Sequence, residues 1–90
     1  MNATQTFAIS SLHAPTVLPR VALIFSRRGV TIERLEMHAL DEGDHAVMSL
    51  DASCDAEEGR KIAAQLRRIV EVTDIRYGAT SSALESRKVG

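Results

Sequence analysis

An α+β fold of the ferredoxin-like type, a four-stranded antiparallel sheet with two helices on one face, is what this sequence predicts, on three observations. Two stretches place apolar residues at steps of three and four: Val17, Val21, Ile24 and Phe25, then Gly59, Ile62, Ala63, Leu66 and Ile69. Each lies between short runs in which apolar and polar residues alternate. The two central runs are separated only by a polar turn, Asp41-Glu42-Gly43-Asp44, so the order reads β-α-β-β-α-β. Right-handed crossovers then put both helices on the same face.

Residues 6–12 open the fold as a strand, with Phe7 and Ile9 alternating against Ala8 and Ser10. His13-Ala14-Pro15-Thr16 breaks it. Thr16 is placed to cap the first helix, which puts Pro19 in the first turn, where backbone N–H groups lack intrahelical partners anyway. Arg27-Arg28-Gly29 stops that helix: cations at the negative end of its dipole, then a glycine free to take positive φ. In residues 30–40, Val30 and Ile32 share one parity and Leu35 and Met37 the other, which asks for a bulge near Glu33 and Arg34. Ala46, Met48 and Leu50 alternate along the returning strand. Asp55 followed by Glu58 resembles a capping box for the second helix, and Gly59 permits close packing on the sheet. Arg67 and Arg68 stand at that helix's C-terminal end, and residues 70–77 supply the last strand. The expectation is one domain over residues 6–78 and a polar tail over 79–90.

Ninety residues hold about one small domain, whose thin core invites a partner subunit. Eleven basic against twelve acidic residues supply no basic field for nucleic acid, and two Phe, one Tyr and no Trp leave little to stack on bases. No apolar run approaches the roughly 18 residues that would span a membrane, and the N-terminus lacks a signal-peptide pattern. The single cysteine, Cys54, allows neither an intrachain disulfide nor a CxxC motif, which fits the cytoplasm. His38 and His45 flank the acidic turn, but their spacing matches neither an EF-hand loop nor a zinc motif, so no metal site is expected. Cys54 has no histidine near in sequence to form a nucleophilic pair, and no catalytic residue is expected. Among other functions of this architecture, an RNA-binding module needs aromatics on its central strands, and residues 30–40 and 46–52 contain none. A heavy-metal chaperone needs CxxC in the first loop, which reads His-Ala-Pro-Thr. Thr16 with Arg20 is a poor match to the anion loop of an acylphosphatase.

Within this frame, one block is more specific. Leu18, Arg20 and Val21 lead to Phe25-Ser26-Arg27-Arg28-Gly29, then Val30, Ile32 and Leu35, with a weaker echo in Gln65-Leu66, Ile69 and Val72. These residues resemble the ACT domain of the regulatory small subunit of acetolactate (acetohydroxyacid) synthase. The chain runs only a short way past its last strand, and so resembles the short, single-domain isozyme II type. The resemblance implies a subunit with no chemistry of its own that binds and activates a large catalytic subunit in branched-chain amino-acid biosynthesis. Thiamine diphosphate, Mg and FAD are then expected only on that partner. It also implies a homodimer, expected here through the first strand and helix, residues 7–25. A free-standing dimeric ACT-type module sensing another small molecule is the alternative.

In valine-sensitive relatives the effector lies at the dimer interface, by the first loop and the start of the second strand. The matching positions here are His13, Thr16, Val17 and Thr31, with Arg20 matching the family's Leu-x-Arg-Val as an effector or subunit contact. Three of them depart from the family pattern: His13 replaces Asn, Thr16 replaces the Gly that lets a carboxylate approach the helix start, and Thr31 replaces Asn. The expectation is a degenerate site and a subunit insensitive to valine. His13 as a solvated loop histidine, and Arg20 as a surface arginine with its stem on the sheet, are the plainer readings.

Overall fold

The computed structural model describes residues 3–40 and 44–79. Six elements follow in the expected order: β1 (Thr4–Leu12), α1 (Ala14–Arg27), β2 (Ile32–Ala39), β3 (His45–Ser53), α2 (Ala56–Leu66) and β4 (Val72–Ala79). The sheet runs β2-β3-β1-β4 with every neighbouring pair antiparallel. β1 begins at Thr4 rather than Thr6, and Ala79, assigned to the tail from sequence, ends β4. Residues 80–90, and 41–43 of the polar turn, lie outside the described residues.

Phe7 and Ile9 of β1 and Ala46, Met48, Leu50 and Ala52 of β3 are buried on one side of the sheet. Val17, Val21 and Phe25 of α1 meet them there, as do Ile62, Ala63 and Leu66 of α2. Both helices therefore cover the same face. Phe7 packs edge-on against Phe25 at 5.3 Å and stacks on Tyr77 at 5.8 Å, ring contacts that add about 0.5–1.5 kcal/mol each to simple burial.

α1 begins earlier than the sequence implies. Its N-cap is His13, in the left-handed conformation at φ 52° and ψ 44°, with no side-chain capping bond. That conformation reverses the chain from β1 into α1 within a single residue. Thr16 is consequently not the cap: it sits inside the first turn, and its Oγ1 donates back to the His13 carbonyl at 2.8 Å. Pro19 falls beyond the first turn, inside the helix, and leaves the Pro15 carbonyl without an N–H from position 19. At the other end the sequence reading holds. Gly29 takes φ 69°, its N–H donates to the Ser26 carbonyl at 3.0 Å, and the Val30 N–H donates to the Phe25 carbonyl at 2.9 Å. These are the two bonds of a Schellman ending.

β2 starts at Ile32, and its pairing with β3 shifts between Ile32 and Arg34, the expected bulge. Leu35 and Met37 pair with Leu50 and Met48 on the helix side, yet remain 39% and 37% exposed. The reason is position: β2 is an edge strand, and α1 lies over β1 and β3. β1, by contrast, is hydrogen-bonded on both sides. That corrects the expected dimer surface, because β1 has no free edge to offer; among the described residues the open edges are those of β2 and β4.

Asp55 caps α2 by accepting from the Glu58 N–H at 2.8 Å. Glu58 does not complete a reciprocal capping box; its carboxylate receives Arg28 Nε and, at 3.4 Å, Arg28 Nη2, tying the start of α2 to the end of α1. A Cβ at Gly59 would lie 3.3 Å from Gln5 Cγ, so this glycine does allow α2 to approach β1 closely. α2 stops at Leu66 with Arg67 as C-cap; Ile69, expected on the helical stripe, is buried from the turn that follows.

Candidate functional site

The end of β1 and the start of β3 are register neighbours, Leu12 opposite His45, so the β1–α1 loop meets the residue just before β3. There the His13 N–H donates to the Asp44 carbonyl at 3.1 Å, and His13 Nδ1 lies 3.2 Å from Asp44 Oδ2. His13, Pro15, Thr16 and Asp44 line a shallow depression of about 240 Å³ at the N-terminus of α1. Asp44 is the residue that sequence reasoning missed. Only the pairing of β1 with β3 brings it to His13, and no local signal announces that.

A helix N-terminus binds a carboxylate through N–H groups with no other partner. Here two such groups are engaged. The Thr16 and Val17 N–H groups both donate to the His13 carbonyl, at 3.0 and 3.2 Å; Pro15 has none; the His13 N–H is on Asp44. Thr16 Oγ1 points to the same His13 carbonyl. Val17 turns its side chain fully into the core, so it offers the loop only its backbone. An acidic group beside this helix start, Asp44, further disfavours an incoming anion.

Thr31 is not part of this cluster. Its carbonyl accepts from the Ser53 N–H at 2.9 Å, at the end of β3 opposite from His45. The length of β1 separates the two positions by roughly 25 Å within one chain. Arg20 stands apart as well: its Nη1 is 3.2 Å from Glu71 Oε1, on the side of α1 toward the α2–β4 turn. The Glu71 carboxyl is held below its ordinary value by its own backbone N–H and then by the Arg20 charge.

Other singled-out groups are satisfied locally. His38 Nε2 lies 3.2 Å from Glu36 Oε1, and His45 Nε2 3.1 Å from Thr73 Oγ1. Among the described residues no group of three metal-ligating side chains is gathered. Cys54 is half-buried, and burial together with Glu58 and Asp55 pushes its thiol above the ordinary value, away from nucleophilic use. No helix among the described residues is long and apolar enough to cross a membrane.

Comparison with known proteins agrees with this architecture and narrows it. The ACT domain from a GTP pyrophosphokinase of Chlorobium tepidum superposes with a TM-score of 0.72 at 11% identity, covering 87% of this chain and all of that one. At that identity the likeness speaks for the fold alone. Two curated relatives are closer in sequence. An acetolactate synthase small subunit of Mycobacterium avium is 35% identical over 72 residues, which is 80% of this chain and 43% of the relative. A probable acetolactate synthase small subunit of Methanothermobacter thermautotrophicus is 36% identical over 74 residues, 80% and 44% of the two chains. The chain thus spans less than half the length of these relatives. The family model for the AHAS small subunit-like ACT domain matches residues 7–74, from the first core phenylalanine of β1 into β4. With β1, both helices and the bulged second strand all inside that match, the chain belongs to the AHAS small subunit-like ACT domain family.

Proposed function

We propose that this chain is a regulatory module of acetolactate synthase that binds the thiamine-diphosphate-dependent catalytic subunit and raises its activity. The observation that carries this reading is the family match over residues 7–74, joined to about 35% identity with proteins named as small subunits of that enzyme. The module performs no chemistry itself; thiamine diphosphate, Mg and FAD belong to the partner, and the complex works in the cytoplasm. Reconstitution tests it. The isolated chain forms no acetolactate, and adding it to its cognate large subunit raises the rate several-fold. Absence of both binding and activation returns the free-standing ACT sensor as the better reading.

The module acts as a homodimer joined along β2. Support comes from the open edge of that strand and from Leu35 and Met37 exposed beside it. Antiparallel pairing of two β2 strands brings Thr31 of one copy toward the His13 end of the other, which one chain alone cannot do. Valine neither binds tightly nor inhibits through this site. An amino-acid carboxylate would have to displace the bonds that the Thr16 and Val17 N–H groups already make to His13, and would meet Asp44. Losing two charge-assisted bonds at about 1.5–3 kcal/mol each moves a micromolar site to between about 0.2 and 20 mM. Calorimetry with valine is the check; binding tighter than about 100 µM overturns the insensitivity.

A further inference from the structure

The helix-free face of the sheet carries an ordered pattern of charge that the regulatory reading does not use. Cross-strand register arranges it in rows. One row reads Glu36, Ser49, Ala8, Arg76 from β2 to β4; the next reads His38, Val47, Ser10, Asp74. The middle of each row is small and uncharged, and the charges stand at the two edge strands. Along β2, Glu36 binds Arg34 and His38; along β4, Arg76 Nε lies 3.4 Å from Asp74 Oδ2.

From this pattern we propose that the bare face is a self-association surface, on which a second copy of this chain packs sheet against sheet. One symmetry pairs opposite charges across the full width of the sheet. A two-fold axis lying between the sheets and parallel to the strands carries β2 over β4 of the second copy and keeps every row at its own height. Glu36 then faces Arg76 of the second copy, and His38 faces its Asp74, twice over. A two-fold axis across the strands through the Glu36 row places Glu36 on Glu36 and Arg76 on Arg76, which like charges oppose; set midway to the next row it places Glu36 on His38 and Arg76 on Asp74, an arrangement that the double variant Glu36→Arg with Arg76→Glu would not restore. Between the edges, Ser49 meets Ala8 and Val47 meets Ser10, residues short enough for close sheet packing.

Arg34 and Asp51 do not oppose this arrangement. Arg34 lies in the row of Asp51, Thr6 and Gly78, so it meets Gly78 of the second copy while Asp51 meets Thr6. Twisted sheets stack at an angle of about 30°, which displaces the edge strands by about 4 Å, within the reach of arginine and glutamate. Four strands of this length present a face of about 25 by 19 Å, or about 1,000 Å² over both copies, enough for a specific association. It leaves the β2 edge free, so it adds a doubling step to the edge-paired dimer and does not depend on it.

Sedimentation of the full chain across about 1–100 µM separates the two steps. Glu36→Arg and Arg76→Glu each weaken the face-to-face step about tenfold, and the double variant Glu36→Arg with Arg76→Glu restores it. Both sites are on the open face, and a far-UV spectrum confirms that each variant is folded. Leu35→Asp, on the helix side of β2, abolishes the edge step and leaves the face step intact. Single variants that sediment as the parent protein, or a double variant that stays as weak as the singles, overturn the proposal. Loss of the edge step alone overturns nothing about the face.

Discussion

His13 concentrates the local physics of the candidate site. A side chain at φ 52° costs about 1–2 kcal/mol relative to ordinary backbone, and His, Asn and Asp bear that cost more readily than other residues. Asn is among the residues that take this conformation most readily, and its amide is close to the imidazole in size. His13→Asn is therefore expected to change stability by less than about 0.5 kcal/mol, whereas His13→Val costs about 1–2 kcal/mol; urea unfolding of the two variants checks both. Cys54 offers a second residue-scale test. With burial and two carboxylates raising its thiol, it should react with a disulfide reagent more slowly than free cysteine at neutral pH, and unfolding should remove the difference.

At the scale of elements, the helices are set by opposite devices. α1 is defined at its end, by the Gly29 Schellman bonds, and α2 at its start, by the Asp55 cap. Gly59 then decides how near α2 comes to the sheet. Gly59→Val is predicted to destabilise by about 1–3 kcal/mol, since its branched side chain must displace the buried Gln5. Gly59→Ala gains about 1 kcal/mol of helix propensity against a tighter contact and should fall near neutral. Phe25→Ala opens a cavity beside Phe7 and removes their edge-on ring contact, for a loss of about 3–5 kcal/mol in a thermal or denaturant melt.

For the molecule as a whole, acid is the natural stress. The Glu58 carboxyl is held below its ordinary value of 4.5 by the Arg28 guanidinium, and Glu71, Glu57 and Glu36 are lowered as well. A lowered folded-state value means the unfolded chain binds more protons, so this stability is present above about pH 4.5 and is lost as pH falls below it. Urea midpoints measured from pH 6 down to pH 3 should fall toward acid, and Glu58→Gln should lower the midpoint near neutrality while flattening that fall. An unchanged slope in Glu58→Gln would assign the acid sensitivity to other groups.

Much of this fold was legible in sequence because the signals are local. The alternation of Phe7 and Ile9, the stripe from Gly59 to Leu66, the parity switch at Glu33 and the Arg27-Arg28-Gly29 stop each depend on residues a few positions apart, and each appears in the structure. The resemblance around Leu18 to Leu35 likewise pointed to the family that the comparisons show. What tertiary structure alone decided is which distant residues meet. Strand order placed β1 inside the sheet and left β2 at its edge, so it is β2 and not β1 that has an edge to offer the proposed dimer. Antiparallel pairing delivered Asp44 to His13 and set Thr31 at the far end. Register aligned Glu36 with Arg76 across four strands, a juxtaposition of residues forty positions apart that no periodicity within either strand encodes.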